Sequence, residues 1–185
     1  MKKLNIGCGK EIKGGFVNLD SVKLSGVDVV HNLDVYPWPF KKDEFNYVVS
    51  NHVLEHLDSI IKPIEEIWKI TKNKAHILIE VPVFPSIGAM ADPTHKQFYT
   101  YRTFDYFRPE DSLNYYSKAR FNIISKNIIF TKPLFFFGWF FNLSISMQKF
   151  YTNFLAFLIP AFALKRIIIL KILVLLLLHI IVPMI

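Results

Sequence analysis

Two histidine-bearing stretches and one glycine turn carry the residues that could do chemistry in this 185-residue chain. Ser50-Asn51-His52-Val53-Leu54-Glu55-His56 offers two imidazoles, and Asp92-Pro93-Thr94-His95-Lys96 offers a third beside a carboxylate. An imidazole takes up a proton near neutral pH, so His95 and His56 are candidate general bases, with His52 and Asp92 alongside. Each has a plainer reading: His95 can fix its loop by a hydrogen bond, and Glu55 can simply hold the His56 ring. The third stretch, Lys3–Asp20 (KLNIGCGKEIKGGFVNLD), reads as strand, glycine turn, strand, acid. Its glycines let the backbone approach a ligand closely, and an acid at the next strand end accepts bonds from ribose hydroxyls. A nucleoside fits that pattern, although a tight turn without a ligand would share it.

These residues need a sheet to bring them together. After Asp20, the run Val27–His31 is a third short β-branched segment, and Phe45–Ser50 is a fourth. Ala75–Val81 is a fifth strand stopped by Pro82 and Phe121–Phe130 a sixth, while Ile167–Ile185 reads either as a segment in a bilayer or, the favoured reading, as a last strand over Ile167–Val174 followed by an apolar tail. Ile60, Ile61, Ile64, Ile67, Trp68 and Thr71 recur at helical spacing, with Asp58 or Ser59 as cap and Pro63 tolerated in the first turn. Tyr36-Pro37-Trp38-Pro39-Phe40 reads as a rigid loop, since its two prolines lack backbone donors. Apolar strands joined by turns or a helix indicate a mostly parallel α/β sheet covered on its faces. Only six residues separate Gly9 from Phe16, too few for a crossover helix, so the first crossover must be a loop. Residues 90–102 read as a polar and aromatic loop over the strand ends.

Composition divides the chain. All 15 acidic residues lie at or before Asp111, where 14 Lys and Arg nearly balance them. Residues 112–185 carry eight basic residues, no acid, and runs such as Leu134–Phe141 (LFFFGWFF). A greasy basic half suits an anionic membrane surface better than nucleic acid. The organisation expected is therefore a core over 1–133, an aromatic and apolar segment with the last strand over 134–174, and a hydrophobic tail over 175–185. The one cysteine, Cys8, excludes an internal disulfide framework and suits a reducing compartment. Met1-Lys2-Lys3 leads into a strand and not into an apolar signal core, so a cytoplasmic location is expected, with association to the inner face of the membrane through the C-terminal apolar segment. No Cys/His cluster has zinc spacing and no acid cluster suggests magnesium, so no metal is expected.

With these pieces in place the chain resembles class I S-adenosylmethionine-dependent methyltransferases of the small type 11-like group. The resemblance is carried by Leu4–Gly9, Phe16–Asp20, Val49–Leu57, Asp92–Lys96 with Phe98 and Thr100, and Tyr115–Phe121. It implies a Rossmann-like class I methyltransferase sheet, mostly parallel with an antiparallel last strand, the first crossover helix missing, and an apolar C-terminal extension. It also implies S-adenosyl-L-methionine as cofactor. Gly7 and Gly9 would wrap its methionine part, with Asn5 leading into the turn. Asp20 would take the ribose hydroxyls, Asp34 would lie by the adenine amino group, and Asn51 with His52 would meet the ammonium. The third glycine of the commoner Gly-x-Gly-x-Gly pattern is absent. Methyl transfer to a hydroxyl needs alignment and loss of a proton, which returns attention to His95 and His56. Ser50-Asn51-His52-Val53 lacks the Pro-Pro-aromatic run of nucleic-acid amino-methyltransferases, so a small-molecule, glycan or lipid-linked acceptor is expected and nucleic acid is not. A quinone or other lipid acceptor, and a binding protein on a degenerate methyltransferase fold, remain as alternatives.

Overall fold

Leu4 and Ile6, Leu19, Val48 and Val49, and Ile77 and Ile79 are all buried, and they form the centre of one sheet. In this computed structural model, residues 1–130, 134–156, 158 and 163–171 are described. The strands are β1 (Lys3–Ile6), β2 (Val17–Asp20), β3 (Val29–Val30), β4 (Phe45–Asn51), β5 (Thr71–Pro82), β6 (Phe121–Ile129) and β7 (Ala163–Lys171). Their spatial order is β3-β2-β1-β4-β5-β7-β6. β1 pairs in parallel with β2 and β4, β2 with β3, and β4 with β5, whereas β7 runs antiparallel to both β5 and β6. This is the expected mostly parallel sheet with an antiparallel last strand. That strand begins at Ala163, four residues before the sequence expectation, and residues 172–174 and the 175–185 tail lie outside the described residues.

The first three crossovers contain no helix among the described residues, so loop side chains fill the place helices would take. Trp38 and Leu33, from the segment between β3 and β4, are buried in the core, and the Trp38 indole N–H donates to Leu33 O at 3.0 Å. Phe40 meets Phe45 edge to face at 5.0 Å. Burying a tryptophan whose polar atom is satisfied is one of the larger single contributions a core can receive, roughly 3–5 kcal/mol against alanine. Helix α1 (Ile61–Ile70) joins β4 to β5 and buries Ile64, Ile67 and Ile70. Ser59 Oγ accepts from Lys62 N at 3.3 Å, whereas the Asp58 N–H is itself held by Asp34. Short helix α2 (Ile87–Met90) and 3₁₀ turns at Thr103–Phe107 and Asn114–Tyr116 follow. Helices α3 (Phe135–Phe141) and α4 (Ile145–Phe150) pack beside β6, where Phe130, Phe141 and Tyr151 make a buried aromatic cluster.

Register places the site. Ile6 is level with Leu19 on one side and Ser50 on the other, so Gly7, Asp20 and Asn51 emerge together at one edge of the sheet. Asn51 is level with Glu80, which adds the end of β5 to the same edge. Open parallel sheets bind ligands at that carboxyl edge.

Candidate active site

The glycine turn is held from both sides. Gly7 has φ +59° against Val53, and Gly9 has φ +48° with open space where a Cβ would stand. The Gly9 N–H donates to Asp20 Oδ2 at 2.7 Å, and Asp20 Oδ1 accepts from Val22 N at 3.0 Å. Asn5 is buried, and its amide donates to Glu11 O and Asn18 Oδ1 at 2.9 and 3.0 Å, so it braces the loop from below. Buried Cys8 fills the turn, and burial followed by Asp20 pushes its thiol up from the ordinary value, away from nucleophilic use.

Asp34 lies beyond β3, where its Oδ1 accepts from Asp58 N at 2.9 Å and its Oδ2 is 3.9 Å from Lys96 Nζ. Lys96 is also bonded to Asp58 Oδ1 at 2.7 Å. A loop from Asp92 to Tyr99 is thereby tied across the sheet edge. The Lys96 and Gln97 N–H groups both donate to Glu55 O, at 2.8 and 3.0 Å, and Phe84 N donates to Tyr99 O at 2.7 Å.

His52 sits directly after β4 with φ +52°, a left-handed conformation that costs a residue with a side chain about 1 kcal/mol. Its N–H donates to Glu80 O at 2.9 Å, and its ring lies 3.3 Å from Glu55 Oε1 and 3.5 Å from Glu80 Oε1. Hydrogen bonding to Glu55, then to Glu80, raises the His52 pKa to about 9, so the ring is a cation at neutral pH. Glu55 is fully buried, and among the described residues its Oε2 has no hydrogen-bond partner.

His56 and His95, 39 residues apart in sequence, meet edge to face with ring centroids 4.8 Å apart. The His95 Nδ1 lies 3.0 Å from Ala89 O, and a carbonyl only accepts, so Nδ1 carries a proton and the neutral ring has its lone pair on Nε2. Sequence reasoning named both histidines but gave no sign that they touch. The contact is made by the loop's backbone bonds to Glu55, which leave no local pattern. The aromatic residues near the site divide between core and surface. Trp38 and Tyr99 belong to the core, whereas Phe98 is exposed and meets Phe84 edge to face at 5.8 Å. Beyond Asp58 and Gln97 opens a cavity of about 720 Å³, whose wall includes Arg102, Tyr106, Phe107 and Tyr116.

A family model described as a methyltransferase domain matches residues 1–126, most of this sheet and the whole glycine turn. The chain belongs to the methyltransferase-domain family. S-adenosyl-L-methionine is accordingly its cofactor, and the residues present fit it: a glycine with vacant Cβ space stands beside a half-buried aspartate, next to the strand end that carries Asn51. Solved structures share the methyltransferase fold at low identity. A SAM-dependent methyltransferase from Archaeoglobus fulgidus matches with TM-score 0.62 and 18% identity over 92% of this chain and 86% of its own. An S-adenosylmethionine-dependent methyltransferase from Mesorhizobium loti gives TM-score 0.52 and 11% identity over 92% and 90%. The [4+2]-cyclase SpnF gives 0.56 and 14% over 92% and 75%. No curated protein matches the chain in sequence.

Proposed function

We propose that this methyltransferase transfers the methyl group of S-adenosyl-L-methionine to a hydroxyl of a small, glycan or lipid-linked acceptor at a membrane face. The observation that carries the reading is the His56–His95 pair beside the carboxyl edge of the sheet, with a bare Nε2 on His95. The cofactor supplies an already activated methyl group, so the protein's work is alignment and removal of the hydroxyl proton. Gly7 and Gly9 pass close to the methionine part, and Asp20 receives the ribose hydroxyls while it still holds Gly9. Asp34 faces the adenine amino group, and the Asn51 carbonyl meets the ammonium. His52, held as a cation by Glu55 and Glu80, suits the methionine carboxylate better than the ammonium to which its position first pointed. His95 takes the acceptor's proton, with His56 packed on its ring. The cavity beyond Gln97 offers Tyr106 and Tyr116 as faces for a sugar ring and Arg102 for an anionic group.

The membrane part of the proposal is supported by the outer face of α3 and α4. Phe136, Trp139, Phe140, Leu143, Ile145 and Phe150 are exposed there, in a half of the chain that has Lys149 and no acid. Amphipathic aromatic surfaces of this kind sit at lipid headgroups. No described helix is long and apolar enough to cross a membrane.

The test uses labelled S-adenosyl-L-methionine with a panel of hydroxyl, amine and thiol acceptors. Methyl transfer to a hydroxylated glycan or lipid, lowered about 10²–10⁴-fold in His95→Ala with S-adenosylhomocysteine affinity kept, supports the reading. Transfer to amines alone, or a His95→Ala enzyme of full kcat, overturns it.

A further inference from the structure

We infer that Glu55, His56 and His95 form a binding site for a divalent first-row transition cation. One ligand atom from each of the three lies within 4.8 Å of the other two. What marks the set as a site is the way each side chain is tied at one atom and left bare at another. His95 gives its Nδ1 proton to Ala89 O, which leaves Nε2 with a lone pair. Thr94 Oγ1 lies 2.6 Å from Asp92 Oδ1 and gives it the hydroxyl proton, so it can only accept from His56 Nδ1 at 3.0 Å. The neutral His56 ring therefore also has its lone pair on Nε2. Glu55 has Oε1 beside His52 Nδ1, while Oε2 is buried without a partner among the described residues.

Outer-shell partners of this kind orient histidines and carboxylates in metal sites, and they are a carbonyl, a carboxylate-held hydroxyl and the His52 ring here. With both rings neutral, their free nitrogens and the buried Glu55 oxygen, unpartnered among the described residues, leave acceptors without donors, most costly at the Glu55 oxygen. A cation removes that cost. Bonds of about 2.0–2.2 Å would bring the ligand atoms to roughly 3.4 Å apart, a closure that side-chain torsions can supply. Two imidazoles and one carboxylate suit Zn²⁺, Fe²⁺ or Co²⁺ better than Mg²⁺ or Ca²⁺. Asp92 Oδ2, 3.7 Å from His95 Nε2, stands at the rim.

The existence of the site is independent of the proposed O-methylation, but its role rests on that reading. An acceptor hydroxyl that joined the cation as a further ligand would be acidified and release its proton to water. Its oxygen would then bond to the methyl carbon as the carbon–sulfur bond breaks, with S-adenosylhomocysteine leaving. In that state His95 is a ligand and no longer the base.

The experiment titrates tag-free, EDTA-stripped full-length protein with CoCl₂ and follows visible absorption, beside a separate titration with S-adenosylhomocysteine. One equivalent of Co²⁺ giving the bands of a four- or five-coordinate nitrogen-ligated ion is expected, weakened about 100-fold or more in Glu55→Gln and in His95→Ala. Glu55→Gln keeps the side-chain volume, and an unchanged far-ultraviolet circular dichroism spectrum with a cooperative melt shows that either variant is folded. Absence of the bands in folded wild type, or wild-type Co²⁺ affinity in both variants, overturns the site. Loss of S-adenosylhomocysteine binding by wild type would instead strike at the methyltransferase reading and leave the cation result standing.

Discussion

A Cβ added to Gly7 would lie 2.4 Å from Val53 Cγ2, closer than such atoms ever approach. The turn that follows β1 is therefore fitted directly against the residue that leads from β4 into the Leu54–His56 turn. Gly7→Ala carries both this overlap and a left-handed φ, and should cost about 2–4 kcal/mol. Val53→Ala in the same chain should return part of that loss, because it removes the two methyl groups at 2.4 and 2.7 Å and leaves the backbone term with a 3.1 Å approach to the residue 53 Cβ. Urea melts of the four proteins of the double-mutant cycle measure it, and strict additivity would show that the contact is not the cause.

Asp20 holds Gly9, and in the proposed reading it also faces the ribose. Asp20→Ala should weaken S-adenosylhomocysteine about 10–100-fold, as expected for loss of charge-assisted bonds worth roughly 1.5–3 kcal/mol. Asp20→Asn should fall between, since its amide oxygen can still accept from Gly9. Calorimetric titration decides, and an unchanged affinity in Asp20→Ala would remove the residue from the cofactor site.

The His52 imidazolium makes stability depend on pH. Its pKa is about 9 in the folded protein, against about 6.5 in an unfolded chain, so the folded state holds the proton more tightly. The stabilisation is whole below the unfolded value and is lost as pH rises through about 9. In EDTA, the urea midpoint of wild type should fall toward that of His52→Gln between about pH 6.5 and about pH 9.5. Parallel curves for the two proteins would count against the Glu55–His52–Glu80 arrangement.

Lys126 is buried with its ammonium 2.7 and 2.8 Å from the two Asp105 oxygens, 2.7 Å from Tyr101 O and over the Tyr101 ring. Asp105→Ala strands that charge and should cost about 3 kcal/mol, whereas Lys126→Met should cost less, because it removes the charge with the partner. Chemical denaturation of both variants checks the order.

Trp139 is 73% exposed at the centre of the apolar face of α3. Trp139→Asp should lower co-sedimentation with vesicles containing phosphatidylglycerol several-fold, with the melting temperature little changed. Equal binding to zwitterionic and anionic vesicles would deny the charge part of the argument, and no binding to either would deny the surface altogether.

The sheet was legible because its signals are local. Leu4–Ile6, Phe45–Ser50 and Ala75–Val81 are apolar runs closed by glycine, asparagine or proline, and each became a strand. The missing first crossover helix followed from counting residues between Gly9 and Phe16. Trp38 was harder: its proline-flanked loop was recognised, but its burial depends on a bond to Leu33 O that no spacing announces. The same holds for His56 and His95, which the chain brings together through Glu55 O and the 92–97 loop. Backbone bonds between distant loops are open to any residue type, so composition cannot reveal them.

Strand β7 is inserted between β5 and β6, and β6 pairs with nothing but β7 among the described strands. A chain emerging from the ribosome would have made β6 by Ile129 but could not dock it until Ala163–Lys171 appeared. Over that interval β5 presents an unpaired apolar edge, the situation that invites aggregation and chaperone capture. A chain that stopped anywhere before Ala163 would leave β5 and β6 as two open strands where the described protein has a seam.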